Sequence, residues 1–284
     1  MRRDTQTARI IELNRRFHDQ AEAPHYDQRM GVRHDAEAVA AMLQELERVH
    51  GAPLPGGTVV DVGAGTGNAA VKLAIDGRFD RVVAIDISAK MLEVAARSAA
   101  SHGVTLETVV SDMQSLPVAD ASVELVVGCA ILHHLPDPAA FLREVHRILR
   151  PGGSAIFIGE PGRWGARVTE LVKAPLVAVA RALRGAKRVR WAHEDIDVHT
   201  FTLDDIEEIA TPFAELSIRP AGLLEPIVDQ ALLAPALQLA GDASPVTAIA
   251  RATRRALRAV DAQLEPRVPP SLLASVKFCA RKAA

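Results

Sequence analysis

The segment Thr58–Asn68 constrains the fold of this chain more than any other part of the sequence. It opens with a β-branched run that predicts a buried strand, and it closes on three glycines at alternate positions: Gly63, Gly65 and Gly67. Alanine-rich sequence compatible with a helix follows directly at Ala69–Ile75. A strand, a glycine turn and a helix N-terminus leave backbone N–H groups open to a ligand. The segment therefore predicts an α/β fold with a nucleoside-type ligand at this turn.

The spacing of the glycines bears on which nucleoside ligand the turn takes. The dinucleotide pattern is G-x-G-x-x-G or G-x-G-x-x-A, with an acid about 20 residues further on. Counted from Gly63, the last position is Asn68, which departs from the pattern. Counted from Gly65, it is Ala70, which fits. Asp61, at the end of the strand, suits the ammonium group of S-adenosylmethionine better than a pyrophosphate. The turn thus favours S-adenosylmethionine, and a nicotinamide cofactor stays open as the alternative.

Carboxylates also follow the next two predicted strands. The run Arg81–Ile85 ends in Asp86, and an acid at the carboxyl end of a neighbouring strand can accept hydrogen bonds from both ribose hydroxyls. A third strand is predicted at Val104–Val110. After it, Asp112 can accept from the adenine amino group while the Met113 side chain lies against the ring. These residues predict the rest of a cofactor site.

The following region continues to alternate between strands and helices, which favours a parallel sheet. The signals come in this order: an N-cap at Ser88, a fourth strand at Glu124–Cys129, an N-cap and first helical position at Asp137 and Pro138, helical spacing over Phe141–Leu149, a break at Pro151–Gly153, and a fifth strand at Ser154–Ile158.

Five motifs in this order resemble those of the class I S-adenosylmethionine-dependent methyltransferases, with the closest likeness to the small-molecule group that includes the quinone-biosynthesis enzymes. They are VVDVGAGTGN, VVAIDIS, SDMQSLPVADASVELVV, ILHHLPDP and LREVHRILRPGG, and they span about Thr58–Glu160. The resemblance implies a Rossmann-like, doubly wound, mostly parallel seven-stranded sheet with an antiparallel last strand. Ser275–Ala280 would be that last strand and Leu216–Arg219 the one before it. Ala64 and Ile87, which lie within the motifs, complete the expected cofactor contacts.

Three regions outside these motifs are expected to cover the site. Residues 1–50 predict a helical lid, and residues 51–284 the methyltransferase domain. Helical insertions at about 162–200 and 223–270 predict a cap over the carboxyl ends of the strands, where ligands bind in open α/β sheets. Tyr26, the only tyrosine, is a candidate for the substrate pocket, although an aromatic anchor for an N-terminal helix explains it equally well.

The predicted cap is basic on one side. Its cations are Lys173, Arg181, Arg184, Lys187, Arg188 and Arg190 in the first insertion, and Arg251, Arg254, Arg255 and Arg258 in the second. Such helices suit an anionic membrane surface or an acidic partner. A solvated helix face is the competing interpretation.

Methyl transfer from a sulfonium requires positioning of the acceptor and, for a hydroxyl or an acidic carbon, a base. His133 and His134 follow the fourth strand and are the first candidates, against a packing role for at least one of them. Glu160 is expected at the pocket mouth, or else as a strand-end carboxylate in water. The run His193–His199 could line the pocket or form a solvated loop; its spacing matches no metal pattern, so no metal is expected. His199 is the third catalytic candidate.

Composition limits the classes of molecule that the protein is expected to bind and its expected location. A net charge of -2 gives no support for nucleic-acid binding, and two cysteines without a pairing pattern suit a reducing cytoplasm. Neither a signal peptide nor a run long enough for a membrane span is visible. Low aromatic content and Ala/Leu-rich insertions predict an apolar acceptor such as a quinone, lipid or polyketide. We therefore expect a cytoplasmic methyltransferase acting on an oxygen or carbon of a small molecule; a nicotinamide-dependent oxidoreductase and a non-catalytic ligand-binding protein are the alternatives.

Overall fold

The computed structural model describes residues 2–23, 26–184, 198–233 and 245–284. The strands are β1 (Gly57–Val62), β2 (Phe79–Asp86), β3 (Glu107–Val110), β4 (Val123–Cys129), β5 (Leu149–Pro161), β6 (Glu215–Ala221) and β7 (Ser275–Arg281). The α-helices are α1 (Arg2–Phe17), α2 (Tyr26–Met30), α3 (Ala36–His50), α4 (Ala70–Asp76), α5 (Ala89–Ser101), α6 (Pro138–Ile148), α7 (Arg163–Arg184), α8 (Leu203–Ile209), α9 (Glu225–Val228) and α10 (Pro245–Leu264). Shorter pieces are π-helices at His18–Glu22 and Asp229–Leu233 and 3₁₀ turns at Leu132–His134, Glu265–Arg267 and Pro270–Leu272.

The strands form one sheet in the order β3-β2-β1-β4-β5-β7-β6. Strands β1 to β5 pair in parallel, and β7 lies antiparallel between β5 and β6. The predicted Rossmann-like, seven-stranded sheet with an antiparallel last strand is confirmed. The strand order reverses between β1 and β4, so the crevice in which such sheets bind ligands opens at the carboxyl ends of these two strands.

Apolar side chains fill both faces of the sheet, which is why its central strands are hydrophobic throughout. Val59 of β1 belongs to the cluster under α3, α4 and α5, whereas its neighbours Val60 and Val62 belong to the cluster under α6 and α8. Successive side chains of a strand point to opposite faces, so one short run contributes to both layers. On the second face, the rings of Phe157 and Phe278 stack with centroids 5.1 Å apart.

The helix starts follow the predicted caps. The hydroxyl of Ser88 accepts from the backbone N–H of Met91 at the start of α5, and the Asp137 carboxylate accepts from Ala140 at the start of α6, with Pro138 in the first turn. Both side chains satisfy N–H groups that a helix N-terminus leaves open. The two predicted N-caps are confirmed.

Among the strand starts, those of β3 and β5 differ most from the sequence prediction. The third strand begins at Glu107 rather than Val104, because the N–H of Val104 donates to the Ala99 carbonyl and closes the end of α5. The fifth strand begins at Leu149, so the run Pro151–Gly153 lies inside β5 instead of separating a helix from a strand. The pairing of β4 with β5 shifts register across this run, which is therefore an irregularity within the strand.

The region predicted to form a lid contains α1, α2 and α3. The insertions predicted to form a cap contain α7, α9 and α10. Arg254 and Arg258 of α10 donate to Asp229 and Glu225, so half of the predicted basic face of that helix is used in ion pairs within the chain. Lys187, Arg188 and Arg190 lie outside the described residues. In the part of the chain that the structure describes, every helix is too short or too polar to cross a bilayer.

Phe278→Ala should lower the free energy of unfolding by about 3–5 kcal/mol, because Phe278 is fully buried in the stack that joins β7 to β5. Equilibrium urea denaturation would measure the loss. The matched control is Leu171→Ala on α7, where 75% of the side chain is exposed and the change should stay within about 0.5 kcal/mol. Equal losses in the two variants would contradict this view of the core.

Candidate functional site

A cavity of about 570 Å³ opens at the carboxyl ends of the parallel strands. Its volume lies within the range of small-molecule sites. The predicted site residues that line it are Tyr26, Gly63, Gly65, Asp86, Ile87, Asp112, Met113, His133, His134 and His199. Those that lie outside its wall are Asp61, Ala64, Gly67 and Glu160.

The glycine turn after β1 presents bare backbone to this cavity. Gly63 and Gly65 have φ values of +66° and +54°, which side chains rarely allow. A Cβ on Gly63 would also lie 2.6 Å from a side-chain carbon of Ile131. At Gly67 a Cβ would meet Val71 and Ala95, so this third glycine permits close packing of α4 against α5.

Asp86 is the carboxylate at the end of β2, and it joins the glycine turn to the start of α5. Its Oδ2 accepts from the N–H of Gly65 at 2.8 Å, and its Oδ1 accepts from the N–H of Ser88 at 2.8 Å. Burial raises the pKa of this carboxyl, and the two amides act against that rise. Each oxygen has a further lone pair, so a 1,2-diol in the cavity could donate to both.

Asp112 and Met113 lie on the neighbouring wall, after β3. The Asp112 carboxylate is exposed and accepts from the N–H of Gln114, whereas the Met113 side chain is buried. Met113 has φ +63°, an unusual conformation that places its side chain under the cavity wall. This pair offers an acceptor oxygen beside an apolar surface.

Asp61 lies behind the glycine turn and does not line the cavity. Its Oδ2 accepts from the N–H of Ala70 at 2.9 Å, and its Oδ1 has no hydrogen-bond partner among the described residues. The carboxylate thus caps α4, where Ala69 at the N-cap offers no side-chain acceptor, and its predicted contact with a cofactor ammonium group stays a prediction. Burial raises the pKa of Asp61 to about 7.

Ala64, expected beside the cofactor, is likewise buried in the structure. Its N–H donates to the carbonyl of Ile85 at 3.0 Å, which ties the glycine turn to β2. Its contribution is therefore to hold the turn.

Glu160 was expected at the pocket mouth, and the structure contradicts this. The residue is fully buried, and its carboxylate accepts from the N–H groups of Ile131, Leu132 and His133 and from Nδ1 of His133 at 2.9 Å. Burial alone would raise the pKa of Glu160, but the His133 hydrogen bond and charge and the amides outweigh it and hold the pKa below its usual value. Glu160 therefore lies buried beneath the turn after β4 and fixes its backbone.

Four histidines, His18, His133, His134 and His199, also line the cavity. The rings of His133 and His134 lie 4.0 Å apart, and that of His134 lies 5.7 Å from His18. The carbonyl of His133 accepts from the N–H groups of Val198 and His199, which brings His199 to the same cavity. Nε2 of His199 is buried without a hydrogen-bond partner among the described residues. Residues 193–197 of the predicted polar cluster lie outside the described part of the chain.

Sequence reasoning missed a set of lining residues on the lid and cap. They are Asn14, Thr169, Glu170, Asp229 and Gln230. Those on α1 and α7 belong to amphipathic helices whose inward face could have been read from the helical period, but the period does not say that this face meets a cavity. Asp229 and Gln230 are on a π-helix, which has no comparable sequence signal.

Comparison with known proteins matches residues 60–157 to a family model described as a methyltransferase domain. The chain is 31% identical over 196 residues to the trans-aconitate 2-methyltransferase of Azoarcus sp., covering 64% of this chain and 71% of that protein. It is 41% identical over 99 residues to the malonyl-[acyl-carrier protein] O-methyltransferase of Hahella chejuensis, covering 34% of each. The chain thus spans about a third of the length of that relative.

A solved structure with the same fold is phosphoethanolamine N-methyltransferase 2 from Haemonchus contortus, in complex with phosphomonomethylethanolamine and S-adenosylhomocysteine. The TM-score is 0.60 over 95% of this chain and 60% of that one, at 18% identity. At that identity the likeness supports the fold alone.

Asp61→Asn should change how stability depends on pH. Because the folded state raises the pKa of Asp61 to about 7, the folded protein holds a proton that the unfolded chain has lost, and the wild type loses stability as pH rises towards and through 7. Asparagine keeps the acceptor for Ala70 without titrating. The unfolding free energy of the wild type relative to the variant should fall by about 2 kcal/mol between about pH 5 and pH 8, measured by denaturation at each pH. A difference that does not vary with pH would contradict the burial argument.

Proposed function

The chain belongs to the class I S-adenosylmethionine-dependent methyltransferases, and from that premise we propose that it transfers a methyl group from S-adenosylmethionine to an oxygen or an acidic carbon of a small acceptor. The observation that carries this proposal is the juxtaposition, in one cavity, of the bare glycine turn, the Asp86 carboxylate and the His133 imidazole. The first two suit the cofactor and the third suits the acceptor.

On the cofactor side, we assign each wall of the cavity to one part of the nucleoside. Asp86 accepts from the two ribose hydroxyls, and Gly63 and Gly65 allow the chain of the amino acid to lie against the backbone. Asp112 accepts from the adenine amino group, and Met113 and Ile87 line the adenine pocket. Asp61 contributes indirectly, since it holds the start of α4 behind the turn.

On the acceptor side, the cofactor supplies an activated methyl group, so the protein has two tasks. It must hold the acceptor atom behind that methyl group, which can contribute roughly 7–11 kcal/mol, and it must take up the proton of a hydroxyl or acidic carbon. His133 is the group we assign to the proton. His134 and His199 lie beside it on the same wall and position the acceptor.

The wall around the acceptor is mixed rather than wholly apolar. Apolar residues, among them Phe17, Leu135 and Ile131, line the cavity together with the polar residues Thr169 and Lys173. We therefore propose an acceptor with an apolar body and a polar group, in place of the purely apolar one that composition predicts. The names of the two relatives, for trans-aconitate and for a malonyl group, specify acceptors of which at least part is polar.

The lid and cap are part of the same proposal. Residues of α1, α2 and α7 and of the π-helix at Asp229–Leu233 line the cavity, which supports a division into an N-terminal lid, residues 1–50, and a domain with cap insertions at about 162–200 and 223–270. We also propose a cytoplasmic location, which the two free thiols of Cys129 and Cys279 support. Contact with an anionic membrane stays a prediction for the basic faces.

Asp86→Ala should weaken S-adenosylhomocysteine binding by about 10²-fold or more, because it removes a charged acceptor for two hydroxyls and unties the glycine turn. Isothermal titration would measure this, with NADH as the competing ligand class. The matched control is Asp80→Asn, an exposed acid at the opposite end of the same strand, which should bind like the wild type. NADH binding without binding of the homocysteine form would exclude the proposed function. A wild type that binds but never turns over with any acceptor in a cell extract would be a non-catalytic relative.

His133→Ala should lower turnover by about 10²–10⁴-fold and leave cofactor binding unchanged, because the ring acts on the proton of the acceptor. Labelled S-adenosylmethionine with an acceptor found by screening would give the rate. His102→Ala, on an exposed ring at the end of α5, is the control. A variant with unchanged turnover would point to an acceptor that is already ionised and needs no base.

A further inference from the structure

We propose that Glu160 is a positioning residue that decides which nitrogen of His133 faces the acceptor as a base. This inference rests on the proposed function, because it explains how His133 can do the work assigned to it. Glu160 touches neither the cavity nor its contents, so its role is exerted entirely through the turn at Ile131–His133.

The geometry begins with a carboxylate enclosed by donors. Oε1 of Glu160 accepts from the N–H of Ile131 at 2.9 Å and of Leu132 at 3.0 Å. Oε2 accepts from the N–H of His133 at 3.2 Å and meets Nδ1 of the same residue at 2.9 Å. An ionised carboxylate with these four contacts can only accept, so every group that faces it must donate.

That requirement fixes the proton on the imidazole. A neutral ring carries one proton, and here it must lie on Nδ1, between the ring and Oε2 of Glu160. Nε2 then holds the lone pair of the neutral ring. Because the ring lines the cavity while Glu160 is fully buried behind it, the basic nitrogen is the one at the opposite side of the ring from the carboxylate.

The same carboxylate also fixes the cap. The turn that it holds presents the carbonyl of His133 to the N–H groups of Val198 at 2.9 Å and His199 at 3.3 Å. Glu160 on β5 thereby sets the place of a ring on the β4 turn and of a segment that precedes α8. A change at Glu160 should be felt at both histidines.

For a hydroxyl acceptor, every proton and charge in the reaction can be accounted for. As the oxygen forms its bond to the methyl carbon and the bond from sulfur to that carbon breaks, the O–H proton passes to Nε2. The products are a methyl ether, a neutral thioether and an imidazolium whose charge faces Glu160. The positive charge has moved from sulfur to the ring, and the buried carboxylate stabilises it there.

Glu160→Gln tests this directly. The amide oxygen can keep the hydrogen bonds from Ile131 and Leu132, but the NH₂ group then replaces Oε2 and donates to Nδ1. The ring must shift its proton to Nε2, and the basic nitrogen turns away from the cavity. Long-range ¹H–¹⁵N spectra of histidine-labelled protein, recorded at about pH 8.5, which is about two units above the pKa of a free imidazole, report which nitrogen carries the proton. The His133 signals are identified by their loss in His133→Asn.

We expect the wild type to show the proton on Nδ1 of His133 and Glu160→Gln to show it on Nε2. Glu144→Gln is the matched control, since Glu144 is also a carboxylate that accepts from a backbone N–H, that of Leu116, but it lies outside the cavity wall. A proton on Nε2 in the wild type, or on Nδ1 in Glu160→Gln, would overturn the inference. The wild-type spectrum alone decides the first of these, even where the variant fails to fold.

A second readout separates this inference from the proposed function. S-adenosylhomocysteine should bind Glu160→Gln as it binds the wild type, while turnover with an acceptor found by screening should fall by about 10²-fold or more. Loss of cofactor binding in the variant would assign Glu160 to general structure and overturn a specific role at His133. A wild type with the expected tautomer but no affinity for the cofactor would refute the proposed function and leave the positioning of His133 intact.

Discussion

Buried carboxylates that accept hydrogen bonds from backbone N–H groups hold together the turns around the cavity. Asp61 holds the start of α4, Asp86 ties the glycine turn to α5, and Glu160 fixes the turn after β4. Asp261 of α10 does the same on the cap, where it accepts from Leu223, Leu224 and Glu225. At Glu160 the amides and the His133 ring outweigh the effect of burial on the carboxylate, whereas at Asp61 and Asp86 the amides oppose it only in part. In each case a side-chain acceptor fixes a loop without covering the backbone that a ligand needs. The site can therefore be both open and rigid.

This arrangement explains why acidic residues at strand ends were easy to find in the sequence but hard to assign. The individual strands and the Ser88 and Asp137 caps follow from local signals: β-branched runs, glycine spacing and capping residues. The seven-stranded sheet with its antiparallel last strand followed from the family resemblance, and its strand order was not predicted. Whether a carboxylate faces a ligand or a neighbouring amide depends on side-chain direction, which such patterns do not contain. Asp86 lines the cavity and also accepts from two amides, whereas Asp61 accepts from one amide, and Glu160 from three amides and the His133 ring. The sequence therefore located all three carboxylates but did not predict their amide partners, and the contact of Asp86 with a cofactor stays a prediction.

The lining residues that could not be predicted from the sequence lie on the lid and the cap. Asn14 donates to the carbonyl of His134 across 120 positions of sequence, and Asp19 accepts from Ser88 across 69. Such contacts depend on how helices pack against the finished sheet, and a single helix period says only that one face is apolar. The core of the sheet can be read from its strands, whereas the residues that the lid and the cap bring to the cavity cannot.

The position of β7 has a consequence for the order in which this chain can fold as it leaves the ribosome. In the described sheet β6 pairs with β7 alone. Strand β5 pairs with β4 on one side and with β7 on the other. Until residues 275–281 emerge, β5 therefore presents an open apolar edge and β6 has no partner. Strands β1 to β4 and their glycine turn can meanwhile assemble from contacts between near neighbours. Such an unpaired edge is a hazard for aggregation, so a growing chain in which β1 to β4 have already paired would still need protection from other chains until β7 joins the sheet.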